Sequence, residues 1–318
     1  MDVVVCTDHR FVMPTGVMMY SLFCNNSESD VTVHILIDNS VIARDKEDLT
    51  AAISRFPKGK ILFYDVDLLS LSAFPRLETR PGQITKATYY RLMLSEILPE
   101  SIHKVLYMDG DLIVRGSLSP LWDTDISNYA VAAAPDALGG EIEFFNRLRI
   151  PYEKGYFNAG VLLVNLDYWR RHAVINEFHD FIKNRAEDIL FHDQDVLNYV
   201  FQDRKTAIPI KYNLTNAFLY KTPRFDYWKN EKELSEALKD PVVVHFAGEK
   251  PWSVYQRAQH PFSSTWTLYQ DQTMWAGVTC ENRPLKLRVI NFTADALRKF
   301  RVIPQDPSVG YINIAPID

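Results

Sequence analysis

Two aspartates separated by one glycine, Asp109-Gly110-Asp111, directly follow the apolar run VLYM. A buried strand that ends in paired carboxylates can hold a hard divalent cation and, through it, a diphosphate. The glycine between them lets the backbone turn sharply or approach a ligand closely. Three further Asp-x-Asp pairs occur, Asp65/Asp67, Asp123/Asp125 and Asp193/Asp195, but none follows so clear a strand. An acidic turn that only faces solvent is the competing reading of this motif.

Three other segments carry residue types that fit the same chemistry. In VVVHFAGEKPW, His245 stands at a strand end, followed by Gly248 and Lys250. A glycine for close backbone approach and a lysine for phosphate charge suit a metal-bound diphosphate, although a lone histidine more often sits satisfied in a core. Tyr156-Phe157-Asn158-Ala159-Gly160 leads into VLLVNL, where amide and backbone groups can face sugar hydroxyls, or make an ordinary turn. His192-Asp193-Gln194-Asp195 precedes Val196, Leu197 and Tyr199, so its aspartates could face a ligand or cap a helix. The chain has no Gly-rich phosphate loop, no G-x-S-x-G and no Cys/His protease signature. Phosphate binding would therefore rest on the metal and Lys250.

These residues need elements to position them. Unbroken apolar runs predict strands over 3–6, 32–37, 60–64, 104–108, 112–114, 130–134, 160–165 and 242–246. Helical spacing predicts helices over 14–23, 42–56, 85–94, 175–185 and 193–201, the first with Pro14 near its start. Strand alternating with helix predicts βαβ units and a parallel sheet. In an open α/β sheet, ligands bind beyond the carboxyl ends of the strands at a topological switch point. That rule gathers Cys6-Thr7-Asp8, Asp109-Gly110-Asp111 and His245-Phe246-Ala247-Gly248 at one edge.

With 318 residues, 47% hydrophobic and 24% charged, the chain has an ordinary globular composition, which excludes disordered, collagenous and disulfide-scaffold classes. A net charge of -5 gives no broad basic footprint, so no nucleic-acid partner is expected. Cys6, Cys24 and Cys280 lack metal-ligand spacing and form no disulfide framework, favouring a reducing, cytoplasmic compartment. No signal peptide opens the sequence, and no run reaches the roughly 18 apolar residues of a membrane span. Residues 284–303 interleave Lys286, Arg288, Arg298, Lys299 and Arg301 with apolar residues. This basic tail reads either as a helix packed on the main domain or as a peripheral anchor at the inner face of a membrane. The expected division is a catalytic domain over 1–258 and a helical, basic extension over 259–318.

In combination, VVVCTDH, ITKATYYRL, HKVLYMDGDLIVRGSLSPLWDTD, GYFNAGVLLVNLDYWRR, HDQDVLN and HFAGEKPW resemble the retaining family 8 glycosyltransferases. That family includes bacterial lipopolysaccharide galactosyl- and glucosyltransferases and, more distantly, glycogenin; the similarity runs from residue 1 to about residue 252. The resemblance implies a GT-A fold, an α/β mixed sheet flanked by helices. It also implies transfer of galactose or glucose from UDP-galactose or UDP-glucose, with retention, to a saccharide or lipid-linked acceptor. Asp109, Asp111 and His245 match metal ligands, and carboxylates with an imidazole suit Mn2+, with Mg2+ as the alternative. Cys6, Thr7 and Asp8 match the segment holding the nucleoside, while Gly110, Gly248 and Lys250 match the strand-end turn and the diphosphate contacts. Arg91, Asn158, Ala159, Gly160, Asp193 and Gln194 match the wall around the donor sugar, with Asp193 and Gln194 as the catalytic pair; Asp136 matches an acceptor-side aspartate. His9 and Arg10 depart from the acidic residue and asparagine common after Asp8 in the family.

Two rival functions remain at this point. A metal-dependent nucleotidyltransferase would carry a Gly-rich basic loop after the first strand, and CTDHRFVMPTG is poor in glycine. A catalytically silent sugar-nucleotide-binding protein would keep the fold without turnover, which donor hydrolysis would discriminate.

Overall fold

Val3, Val4 and Val5 are fully buried, as the unbroken apolar run at the start of the chain predicts. They belong to β1 (Asp2–Thr7), followed along the chain by β2 (Val31–Ile37), β3 (Gly59–Asp65), β4 (Lys104–Met108) and β5 (Leu112–Val114). Then come β6 (Val131–Pro135), β7 (Phe157–Asn165), β8 (Lys205–Ala207), β9 (Leu214–Thr215) and β10 (Val243–His245). The structure, a computed structural model, describes residues 1–66, 86–137, 142–220, 231–254, 259–280 and 311. The basic segment 284–303 and the first residue of the expected helix 85–94 lie outside the described residues.

Seven strands form one sheet in the order β3-β2-β1-β4-β7-β6-β8, and β5-β10-β9 form a smaller one. The parallel sheet expected from strand and helix alternation is corrected to a mixed one, because β7 runs antiparallel to both β4 and β6. An apolar run signals burial on both faces and carries no information about direction, so β7 reads the same either way. The mixed sheet agrees with the GT-A architecture that the family resemblance implies.

Helices cover both faces. The helix Val12–Asn25 is buried over most of its circumference and packs Met18, Met19 and Leu22 on one face of the sheet. On the other face lie Trp169, Phe178 and Phe201, carried by the helical region after β7. Residues 86–93, expected as α-helix, form a 3-10 helix that passes into a short α-turn, Leu94–Ile97. A third cluster surrounds the small sheet and includes Phe246, Trp252 and Trp266. Trp266 comes from the helix Ser263–Gln270. Trp275 closes this side against the helix Val12–Asn25, where a Cβ on Gly16 would come 2.1 Å from its ring. No helix among the described residues is long and apolar enough to cross a membrane.

Candidate active site

The Asp109-Gly110-Asp111 turn joins the two sheets. The Asp109 amide donates to the Gly160 carbonyl at 2.9 Å, extending the large sheet by one residue past β4. The Asp111 carbonyl accepts from the Phe246 amide at 2.9 Å, which begins the small sheet, and His245 lies opposite Leu112 in the antiparallel register. Gly110 sits close over Thr15, where a Cβ would come 2.6 Å from Oγ1. Two strand ends are thereby aimed at one point. Asp109, Asp111 and His245 each present a ligand atom there, all within 4.8 Å of one another. His245 Nε2 is 3.3 Å from Asp111 Oδ1 and 3.8 Å from Asp109 Oδ2.

The surrounding charges set up this trio. Asp109 Oδ1 accepts from Arg91 Nη2 and from the Tyr107 hydroxyl, each at 2.8 Å, which leaves Oδ2 turned toward His245. Arg91 stacks on Tyr107 and donates to the Ala159 carbonyl at 2.6 Å. Its Nε lies 2.9 Å from Asp193 Oδ2, but the hydrogen is directed at the Thr88 carbonyl, so this buried carboxylate oxygen has an ionic neighbour and no hydrogen bond. Burial pushes the Asp193 carboxyl up to about 7 against the opposing pull of Arg91. Burial also acts to raise Asp111, but Lys250 and then His245 outweigh it and hold the carboxyl well below the ordinary range. Lys250 pairs with Asp111 and donates to the Phe246 carbonyl. Two carboxylates and one imidazole nitrogen converging on a point form a donor set that fits a divalent cation such as manganese.

Behind the trio stands a polar wall. Gln194 Oε1 accepts from the Ala159 amide at 2.9 Å, and its Nε2 donates to Asp136 Oδ2 at 3.0 Å. Asn158 Nδ2 donates to the same Asp136 oxygen at 3.0 Å. Gly160 backs onto His245 so closely that a Cβ there would come 2.2 Å from the imidazole Cε1. Gly248 faces the Tyr220 hydroxyl and Asn216 Nδ2, 3.2 and 3.3 Å from where its Cβ would be.

The remaining expected residues sit at the end of β1. Desolvation pushes the Cys6 thiol up to about 12, leaving it a protonated packing group. Thr7 accepts a hydrogen bond from Thr15 at 3.1 Å, below the Gly110 turn. Asp8 caps the short turn His9–Phe11, accepting from the amides of Arg10 and Phe11. In the HDQD segment the two aspartates have different surroundings. Asp195 is fully buried, pairs with Arg147 and accepts from Tyr156 and from the amides of Leu190 and Phe191, whereas Asp193 faces Arg91. Sequence reasoning missed Tyr107, Asn213, Asn216 and Tyr220. Tyr107 was legible as the strand residue two before Asp109, but the other three belong to a stretch whose single strand has two residues.

A mixed sheet of this order, with an Asp-x-Asp turn at its centre facing a histidine from a second small sheet, defines a glycosyltransferase of the GT-A fold. The sequence model of Glycosyl transferase family 8 matches residues 2–255, and the chain belongs to that family. It is 29% identical over 280 residues to General stress protein A of Bacillus subtilis, covering 86% of this chain and 94% of that protein. To the lipopolysaccharide 1,3-galactosyltransferase of Salmonella typhimurium it is 24% identical over 282 residues, 85% of this chain and 77% of that one. Among solved structures, the galactosyltransferase LgtC in complex with donor and acceptor sugar analogs superposes with a TM-score of 0.75. The identity there is 27%, and the match covers 91% of this chain and 99% of LgtC.

Proposed function

We propose that this chain is a cytoplasmic, retaining hexosyltransferase that moves galactose or glucose from a UDP-sugar to a saccharide or lipid-linked acceptor. The observation that carries the reading is the convergence of Asp109, Asp111 and His245 within 4.8 Å at the ends of two strands. The likeness to a galactosyltransferase that binds donor and acceptor sugar analogs supports the substrate class.

The reaction breaks the bond between the anomeric carbon and the diphosphate oxygen, which leaves negative charge on that oxygen. A divalent cation, when held by Asp109, Asp111 and His245, supplies positive charge at the diphosphate. Lys250 lies at the same place, and its ammonium exchanges its Asp111 partner for a phosphate oxygen as charge develops. Gly248 gives the diphosphate a close approach to backbone. On the sugar side, the Asp193 oxygen without a hydrogen bond accepts from a sugar hydroxyl, with Arg91 holding the carboxylate in place. Gln194 and Asn158 are fixed by bonds to Asp136 and backbone, which suits positioning better than nucleophilic attack. The acceptor hydroxyl then bonds to the anomeric carbon on the face that the diphosphate leaves. Its proton passes to the departing phosphate oxygen, and the configuration is kept.

The test is UDP release by purified protein from UDP-galactose and UDP-glucose, with Mn2+ and with excess EDTA. Release from one of the two donors is expected with Mn2+ only, and Asp111→Asn should lose most of it while remaining folded. Equal turnover in EDTA, or in Asp111→Asn, would remove the metal from the account.

A further inference from the structure

Asn213 follows the turn Ile210–Tyr212, precedes β9 and has no exposed surface. Its Oδ1 lies 3.0 Å from His245 Nδ1, and its Nδ2 lies 2.9 Å from Asn158 Oδ1. Asn158 in turn meets Asp136 Oδ2 through Nδ2 at 3.0 Å and the Gly160 amide through Oδ1 at 2.9 Å. A side-chain amide can be turned either way and a neutral imidazole can carry its proton on either nitrogen, so the polarity of such a chain needs an anchor. Here it has two. The Gly160 amide can only donate, so the Asn158 atom facing it is oxygen; the Asp136 carboxylate accepts, so the Asn158 atom facing it is the amino group. The Asn158 oxygen then takes its second bond from the Asn213 amino group, which leaves the Asn213 oxygen for the imidazole. His245 must donate from Nδ1, and its Nε2 keeps a lone pair directed between Asp109 and Asp111.

We propose that Asn213 is a positioning residue that fixes the tautomer and ring orientation of His245 and so presets Nε2 as the third ligand of a divalent cation. The proposal rests on the metal site read above and assigns a residue to which no motif pointed. Gly160 completes the arrangement from the other side, since its missing Cβ leaves room for the imidazole, whose Nδ1 would lie 2.6 Å from it. Asp136 Oδ2 also accepts from Gln194, so the metal side and the sugar side of the site end on one carboxylate oxygen. Partners that orient a metal-binding histidine set both ligand basicity and ring direction, and their loss typically costs 10–100-fold in metal affinity.

The test uses the full chain without sugar nucleotide. Free Mn2+ is read by electron paramagnetic resonance during titration of wild type, Asn213→Leu and Asn213→Asp. Asn213→Leu, close in volume and without an acceptor, should weaken binding by about 10–100-fold. Asn213→Asp keeps an acceptor for Nδ1–H but loses the donor to Asn158 Oδ1, so it should bind manganese more tightly than Asn213→Leu, whereas a purely structural role would weaken both alike. A long-range proton–nitrogen-15 spectrum of metal-free wild type, at a pH where the imidazole is neutral, should show His245 protonated at Nδ1, assigned by its disappearance in His245→Gln. This measurement decides the matter even where Asn213→Leu fails to fold. A proton on Nε2, or wild-type manganese affinity in Asn213→Leu, would overturn the proposal. No manganese binding by wild type would instead overturn the metal site, leaving the spectrum to decide the hydrogen-bond chain separately.

Discussion

Gly160 and His245 occupy each other's space: a methyl group at residue 160 would come 2.2 Å from the imidazole Cε1 and 2.6 Å from Nδ1. Gly160→Ala must therefore displace the imidazole from its place beside Asp111. Misplacement on the order of 1 Å at a reacting centre can cost about 10²-fold in rate. We expect a loss of that order in donor turnover with Gly160→Ala, alongside a circular dichroism spectrum unchanged from wild type; turnover within a few-fold of wild type would show that His245 is not held there. The residues of this trio were legible because each ends or flanks an apolar run, where a polar side chain has no packing reason to be. Asn213 was not legible, since its value comes from a partner thirty-two residues away and its local sequence, KYNLTN, has no distinctive periodicity.

Elements carry these side chains with differing tolerance. The strands expected from apolar runs form within three residues of their expected limits, since burial leaves a signal in nearly every residue of all of them except the half-exposed β3. Their directions and the division into two sheets left no such signal, and they decide that His245 faces Leu112. The helix Ser263–Gln270 shows another dependence that composition hides. His260, buried before it, accepts from the Phe262 amide through Nδ1 at 3.2 Å, meets Phe246 edge to face and has no hydrogen-bond partner at Nε2. Burial, with Lys250 adding to it, pushes its pKa down from 6.5 to about 3. A depressed folded pKa means that the stability is fully present above 6.5 and is lost as pH falls toward 3, by up to about 1.4 kcal/mol per pH unit. His260→Asn keeps an acceptor for the amide and cannot titrate. Its melting temperature should be lower than wild type at neutral pH and fall less between pH 7 and pH 5; an equal fall in both would remove His260 as the titrating group.

At the scale of the whole molecule, the small sheet, the helix Ser263–Gln270 and Tyr311 pack together beside the site. Cys280 donates its amide to the Trp252 carbonyl at 2.9 Å, two residues beyond Lys250. Buried Tyr311 bridges to Tyr220, meets His260 edge to face and accepts from Asn216 at 2.8 Å. Removing the chain beyond residue 283 takes Tyr311 away from Tyr220, Asn216 and His260, so a truncated protein should melt at a lower temperature than the full chain, with donor turnover reduced through Tyr220 and Gly248. The same pair of proteins tests the basic segment: binding to anionic vesicles at low salt by the full chain alone would make it a membrane contact, and no binding by either, together with lost stability, would make it a packed element. The most direct test of retaining transfer at the Asp109, Asp111 and His245 site needs no sugar acceptor. UDP-galactose or UDP-glucose is incubated with the full chain and Mn2+, with water as acceptor, and the first-released sugar is read by time-resolved proton NMR. Release of the α-anomer, abolished by EDTA, is the predicted result; a β-anomer released first, or release undiminished in EDTA, would contradict it.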